Sequence, residues 1–227
     1  MSRLYNSLSN TTMYSMLCII LPCLIYQIIN IKKNKLKKEK ILTSHLIWVY
    51  IFLLYIYLAL SVAGIGSIWD ILQYGGIIGI NEINLIPFRS EGITTYILNI
   101  IMFMPLGFLL PVIWNEFRSI KKVVFTGLSF SLAIEICQLF NYRATDIDDL
   151  LMNTLGAFLG YFIWISINNI LIHNINNKAV YIEEQVYEKQ SETTNNTKIS
   201  LSKNEANIYL TLSILGQFLL YNWNFVS

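Results

Sequence analysis

EICQLFNYRATDIDDLLMNTLGAFLG occupies Glu135–Gly160, between two strongly apolar runs. Within nineteen residues it gathers Glu135, Gln138, Arg143, Asp146, Asp148, Asp149 and Asn153. The remainder of the chain makes that concentration unusual. Of the 227 residues, 55% are hydrophobic and 13% charged, whereas soluble domains carry about 25% charged residues. The apolar residues also fall in blocks. Thr12–Ile31, Ile41–Ile65, Tyr96–Trp114, Val123–Phe140 and Leu150–Ile172 each approach or exceed the roughly 20 residues that cross a bilayer core. The expected fold class is all-α: a polytopic transmembrane helical bundle of five to six spans.

The first block follows a single basic residue, Arg3, and no small-residue cleavage site comes after it. It therefore reads as a retained span and not a signal peptide. Cys18, Cys23 and Cys137 lie inside expected spans with no metal-ligand or disulfide spacing. His45 and His173 stand far apart at span ends and read as interfacial polar residues. No metal, cofactor or nucleic-acid partner is expected.

Thirteen of the sixteen Lys and Arg residues fall in alternate connections: Lys32–Lys40, Arg118–Lys122 and the segment from Lys178 to Lys203. The positive-inside bias puts these in the cytoplasm and the quoted stretch outside. Residues 1–40 then hold the first span and a basic cytoplasmic loop, and 41–172 the transmembrane core. Residues 173–207 read as a flexible polar linker. The final stretch, 208–227, reads as a sixth span or an interfacial helix. The glycine cluster in YGGIIGINEINLIPF suggests a turn or re-entrant loop lying on the membrane.

Counting along each expected helix at about 1.5 Å per residue puts Asn99, Glu135, Gln138 and Asn153 within roughly 5 Å of one depth, in the outer third of the bilayer. Ser131, Glu135, Gln138 and Tyr142 share one helical stripe, as do Asp149, Asn153, Gly156 and Gly160. The Gly156–Gly160 spacing suits a close helix crossing. Ala157, one residue round the helix, is expected to tolerate bulk better. A carboxylate inside a span costs at least about 2.5–3.5 kcal/mol, so it should face protein or water. These residues suggest an outward-open pocket floored by Glu135, Asn99 and Asn153. Arg143, Asp146, Asp148 and Asp149 would form its rim. Asp146 and Asp148 read equally well as solvated loop charges, and Asn99 or Asn153 alone as interhelical glue.

Four pieces in order, NLIPF (Asn84–Phe88), NIIMFMPLGF (Asn99–Phe108), EICQ (Glu135–Gln138) and RATDIDDLLMNTLGAFLG (Arg143–Gly160), resemble the VanZ-like family of bacterial membrane proteins. The resemblance runs from about Ile47 to Ile172. It implies a multi-pass protein of the bacterial cell membrane, related to a teicoplanin-resistance protein. Asn84, Pro87, Phe88, Asn99, Pro105, Gly107, Glu135, Gln138, Arg143, Asp146, Asp149, Asn153 and Gly156 match its pattern by position. The first functional expectation is a binding or modulating protein whose binding residues are Asn84, Arg89, Asn99, Glu135, Gln138, Arg143, Asp146, Asp149 and Asn153. They would hold an envelope lipid, a lipid-linked cell-wall precursor or a lipoglycopeptide. The competing expectation is an enzyme acting on a lipid head group. Glu135, its neutral form favoured by burial, would then be general acid or base, and Asp149 would orient a water or hold a metal. A small transporter is the third reading, but no inverted repeat supports it.

Overall fold

The computed structural model describes residues 2–36, 43–71, 83–84, 86–88, 92–141, 145–186 and 204–222. Its helices are α1 (Ser2–Leu36), α2 (Thr43–Ala63), α3 (Ile93–Ile113), α4 (Ile120–Gln138), α5 (Ile147–Val186) and α6 (Glu205–Leu220). Two short strands, β1 (Ile83–Asn84) and β2 (Thr145–Asp146), pair in parallel, with Ile83 opposite Thr145 and Asn84 opposite Asp146.

Five segments are long and apolar enough to cross a membrane: Thr12–Lys33, Thr43–Ala63, Ile93–Ile113, Ile120–Asn141 and Ile147–Ile170. Each coincides with one of the apolar blocks. α2 shows why they suit hydrocarbon. One face buries Val49, Phe52, Leu53, Ile56 and Leu60, while Ile47, Ile51, Leu54, Leu58 and Val62 form an exposed stripe on the other. A helix apolar on every side needs lipid as well as protein around it. The chain is a polytopic transmembrane helical bundle.

Successive helices run up and down. Ile93, Gln138 and Ile147 mark one end, here the Asp148 end; Trp114, Ile120 and Glu205 mark the other, the Glu205 end. α3 and α5 therefore run parallel, with α4 antiparallel and in contact with both. The α3–α5 seam is the closest in the bundle. A Cβ on Gly156 would overlap the Ile100 carbonyl, one on Gly160 the Met104 carbonyl, and one on Gly107 the Ala157 backbone. The expected tolerance at Ala157 is not met. It is fully buried, supplies the backbone against Gly107 and sets its own methyl against Gly127. α5 is crossed on two sides, so a residue one step round the helix still meets a neighbour.

Two boundaries differ from expectation. α5 runs on to Val186, so the backbone stays helical through the first part of the stretch read as a linker from His173. The last apolar stretch forms a helix of 16 residues, Glu205–Leu220, shorter than the five spans, yet its ends meet both ends of the bundle. At one, Glu205 accepts hydrogen bonds from Trp114 Nε1 at 2.9 Å and Asn30 Nδ2 at 3.4 Å, and lies 2.9 Å from His45 Nε2. At the other, the Phe218 and Leu219 carbonyls accept from Ile68 N and Trp69 Nε1. α6 thus lies alongside α1 through the depth of the bundle. Gly216 lets the Cys18 carbonyl approach, and Ser15 Oγ donates to Gln217 Oε1 at 3.0 Å. His45, expected to be an interfacial polar residue at a span end, is mostly buried against Glu205.

Gly156→Leu should lower the thermal midpoint in detergent by the equivalent of about 1–3 kcal/mol of overpacking. Leu155→Phe, on the exposed face, should leave it nearly unchanged; equal midpoints for wild type and Gly156→Leu would remove the close crossing.

Sidedness can be read at two exposed positions. Nothing lies within 4 Å of a Cβ built on Gly92, and Ser119 makes no side-chain cap bond. With the Asp148 end outside, Gly92→Cys should react with an impermeant thiol reagent on intact cells. Ser119→Cys should react only after the membrane is opened, and the reverse pattern would invert the orientation.

Candidate functional site

Thr145–Asp149, where β2 passes into α5, receives bonds from three other segments. Glu135, on the last turns of α4, is 4% exposed, and its Oε2 accepts the Asp146 N–H at 3.3 Å. Asp146 in turn caps α5. Its Oδ1 accepts the Asp148 N–H at 3.0 Å, satisfying one of the donors a helix start leaves open. Its Oδ2 accepts from Asn84 Nδ2 at 3.2 Å, and Asn84 Oδ1 accepts the Ile86 N–H at 3.1 Å. Asp148 is fully buried. Both its oxygens receive the Phe88 N–H, at 2.8 and 2.9 Å, and Oδ2 also accepts the Tyr96 hydroxyl at 2.9 Å. Asn99 Nδ2 donates to Asp149 Oδ1 across the parallel α3–α5 seam.

The reading of Asp146 and Asp148 as solvated loop charges is therefore corrected. Both are buried, because a carboxylate at a helix start can accept backbone N–H groups from the helix and from the segment laid against it. The bonds hold the turn at Ile86–Phe88 in an unusual conformation. Phe88 has φ 62°, in the left-handed region that a bulky residue seldom enters. The two bonds from its N–H to Asp148 fix that geometry, while its ring stands edge-on to Tyr96 with centroids 6.2 Å apart. Ile86 and Phe88 remain exposed.

The other expected residues sit at the same end but have separate partners. Gln138 Nε2 donates to the Ala63 carbonyl at 2.8 Å, tying α4 to the end of α2. Asn153 Nδ2 donates to Ser131 Oγ at 2.9 Å, tying α5 to α4 one layer deeper. Gln138 Oε1 and Asn153 Oδ1 are buried without a hydrogen-bond partner among the described residues. Glu135 and Asn153, expected to floor an open pocket, are both buried, Glu135 with a bond from the β2 backbone and Asn153 with one to Ser131 of α4. Clefts of about 260 and 220 Å³ lie elsewhere, along the α4–α6 seam and at its Glu205 end. Arg89 and Arg143 fall outside the described residues. Among those described, no group of His, Cys, Asp and Glu has the arrangement of a metal site.

Four segments thus converge on β2 and the first turn of α5: NLIPF through β1, Asn84 and Phe88; the α3 segment through Tyr96 and Asn99; EICQ through Glu135; and TDIDD itself. The VanZ/LLP1 family profile matches residues 46–172, a span that contains all four. The chain belongs to the VanZ/LLP1 family. It is 43% identical over 81 residues to Protein VanZ of Enterococcus faecium, an alignment that covers 35% of this chain and 50% of that protein. The chain thus spans about half the length of the curated relative it matches. No solved structure gives a significant match.

Asp148, placed on the rim by its position but not counted among the binding residues, accepts from two other segments of this VanZ-like site, at Phe88 and at Tyr96. In the sequence Tyr96 stands out only as the first residue of an apolar block. The adjacency of Asp148 to Asp149 at a helix start was the available signal for the first. No pattern in the chain marks a hydroxyl that reaches it from α3. Asp148→Ala takes this acceptor from the Phe88 N–H and the Tyr96 hydroxyl, at about 1–3 kcal/mol for a donor left buried and unpaired. It should speed amide exchange at residues 83–88 and lower the thermal midpoint. Asp148→Asn, which keeps one acceptor oxygen, should do so less. Unchanged exchange in the Ala variant would show that Asp148 does not hold the turn.

Proposed function

We propose that this VanZ-like protein works in the bacterial cell membrane. Its Asp148 end would bind or modulate an amphiphilic envelope molecule: a lipid, a lipid-linked cell-wall precursor or a lipoglycopeptide. By doing so it changes susceptibility to teicoplanin-type antibiotics. The observation that carries this reading is the Ile86–Phe88 turn. Two exposed apolar side chains are held at one end of a membrane bundle by a buried carboxylate. Apolar groups displayed at an interface suit an acyl chain, and their rigid backbone lowers the ordering cost of binding. Arg89 follows the turn directly in the chain and Arg143 lies two residues before β2. A guanidinium grips phosphate or carboxylate as a two-pronged donor. Gln138 Oε1 and Asn153 Oδ1, buried and without a donor among the described residues, can take up a water near this end.

The use of Glu135 also favours binding over proton transfer. Its carboxylate accepts a backbone N–H inside the protein, a task a neutral amide also performs. Glu135→Gln keeps a carbonyl acceptor for Asp146, whereas Glu135→Ala leaves that donor unpaired at about 1–3 kcal/mol. In cells making each variant at matched membrane levels, Gln should retain most of the teicoplanin phenotype and Ala should lose it. Phe88→Ser should lose the phenotype without a comparable drop in stability, because the residue is 68% exposed. If Gln fails as badly as Ala while both insert normally, with losses of about 10²–10⁴ in activity, Glu135 moves a proton and the site is catalytic. Wild type without effect on teicoplanin susceptibility would remove the glycopeptide part of the proposal.

A further inference from the structure

The α4–α6 seam opens sideways as a continuous cleft, well away from the Asp148 end. Its deeper part, of about 260 Å³, is lined by Phe125, Phe130, Ala133, Leu210 and Ile214, with Thr126 at the boundary. Its other part, of about 220 Å³, reaches the Glu205 end and is lined by Glu116, Lys122, Asn204 and Asn207. Phe125, Thr126 and Asn207 line both parts, so the two are joined. The α4 wall belongs to a membrane-crossing segment. The cleft is therefore polar at the bundle end and apolar toward the middle, the polarity gradient of a phospholipid.

We propose that this cleft is a binding site for an amino phospholipid. One acyl chain lies along Phe125, Phe130, Leu210 and Ile214, the phosphate meets Lys122, and the ammonium meets Glu116. The sign of the charges selects this occupant. Lys122 and Glu116 line the same mouth without forming an ion pair to each other. Glu116 Oε1 is buried with no hydrogen-bond partner among the described residues. A buried carboxylate oxygen without a donor is costly, and the ammonium of a zwitterionic head group supplies one. An anionic head group would answer Lys122 and the nearby Arg118 and Lys121 but would set its charge against Glu116. The site is built partly from α6, which lies beyond the family match at residues 46–172, so it is a property of this chain's extension and not of the common core.

The test is native mass spectrometry of the full chain. The protein is first delipidated in mild detergent and then exchanged into an equimolar mixture of phosphatidylethanolamine and phosphatidylglycerol with matched acyl chains. Wild type should retain phosphatidylethanolamine over phosphatidylglycerol by about fivefold, the discrimination that one partly screened ion pair supplies. Glu116→Gln should abolish that preference while total retention persists, which also shows that the variant is folded. Lys122→Gln should lower retention of both lipids. Thr211→Phe, at the exposed rim of the cleft, should block the acyl chain and lower retention of both. Equal retention of the two lipids by wild type, a preference that survives Glu116→Gln, or unchanged retention in Thr211→Phe would each overturn the proposal.

Discussion

The contact of α3 with α5 at Gly156 and Gly160 governs the rest of the bundle. Because both helices run in the same direction, a close approach there carries their first turns into register at the Asp148 end. Tyr96 then reaches Asp148, and Asn99 reaches Asp149. A larger side chain at either glycine would meet a main-chain carbonyl, which cannot move aside as a flexible side chain can. Association inside a bilayer has no hydrophobic drive, so close packing and interhelical hydrogen bonds must supply it. In this protein the two are coupled: small residues set the distance at which the polar side chains can bond.

The Glu205 end applies the same rule with different chemistry. One buried carboxylate collects groups from the ends of three other elements: Asn30 of α1, His45 of α2 and Trp114 just after α3. It sits on the first turn of α6, where negative charge also complements the helix dipole. Trp114 packs edge-on against Phe52 with centroids 5.0 Å apart, so the acceptor is walled by aromatic rings. Breaking such an arrangement by removing one partner costs more than the bond itself, because the remaining polar groups stay buried. The sixth helix is therefore fixed to the bundle at this end by a polar clamp and along its length by its contact with α1.

The membrane-spanning architecture was legible because it rests on block lengths, and block lengths survive any packing arrangement. The polar site was legible only in part. The stripe Ser131, Glu135, Gln138 follows from helical periodicity, and all three are buried as one face of α4. Yet they bond to three different segments: Asn153 of α5, the Asp146 backbone and the Ala63 carbonyl. A stripe tells which side a helix buries, not how many neighbours share that side. The left-handed Phe88 had no sequence signal at all, since Asp148 lies sixty residues away. His45 and Glu205 were equally hidden, each unremarkable until α6 folds against α2.

These placements bear on the kind of ligand proposed for the Asp148 end. Carboxylates facing an open cavity would act by charge and select a cationic partner. Here Glu135, Asp146 and Asp148 direct their described bonds to amides and a hydroxyl of the same chain. Those bonds are positional: Glu135 meets the β2 backbone, Asp146 ties β1 to β2 through Asn84, and Asp148 holds the Ile86–Phe88 turn. In the binding reading proposed above, recognition falls to what that scaffold displays, two exposed apolar side chains in a chain segment that continues directly into Arg89. An apolar ridge with a guanidinium donor next to it in sequence matches an acylated anion better than a cation.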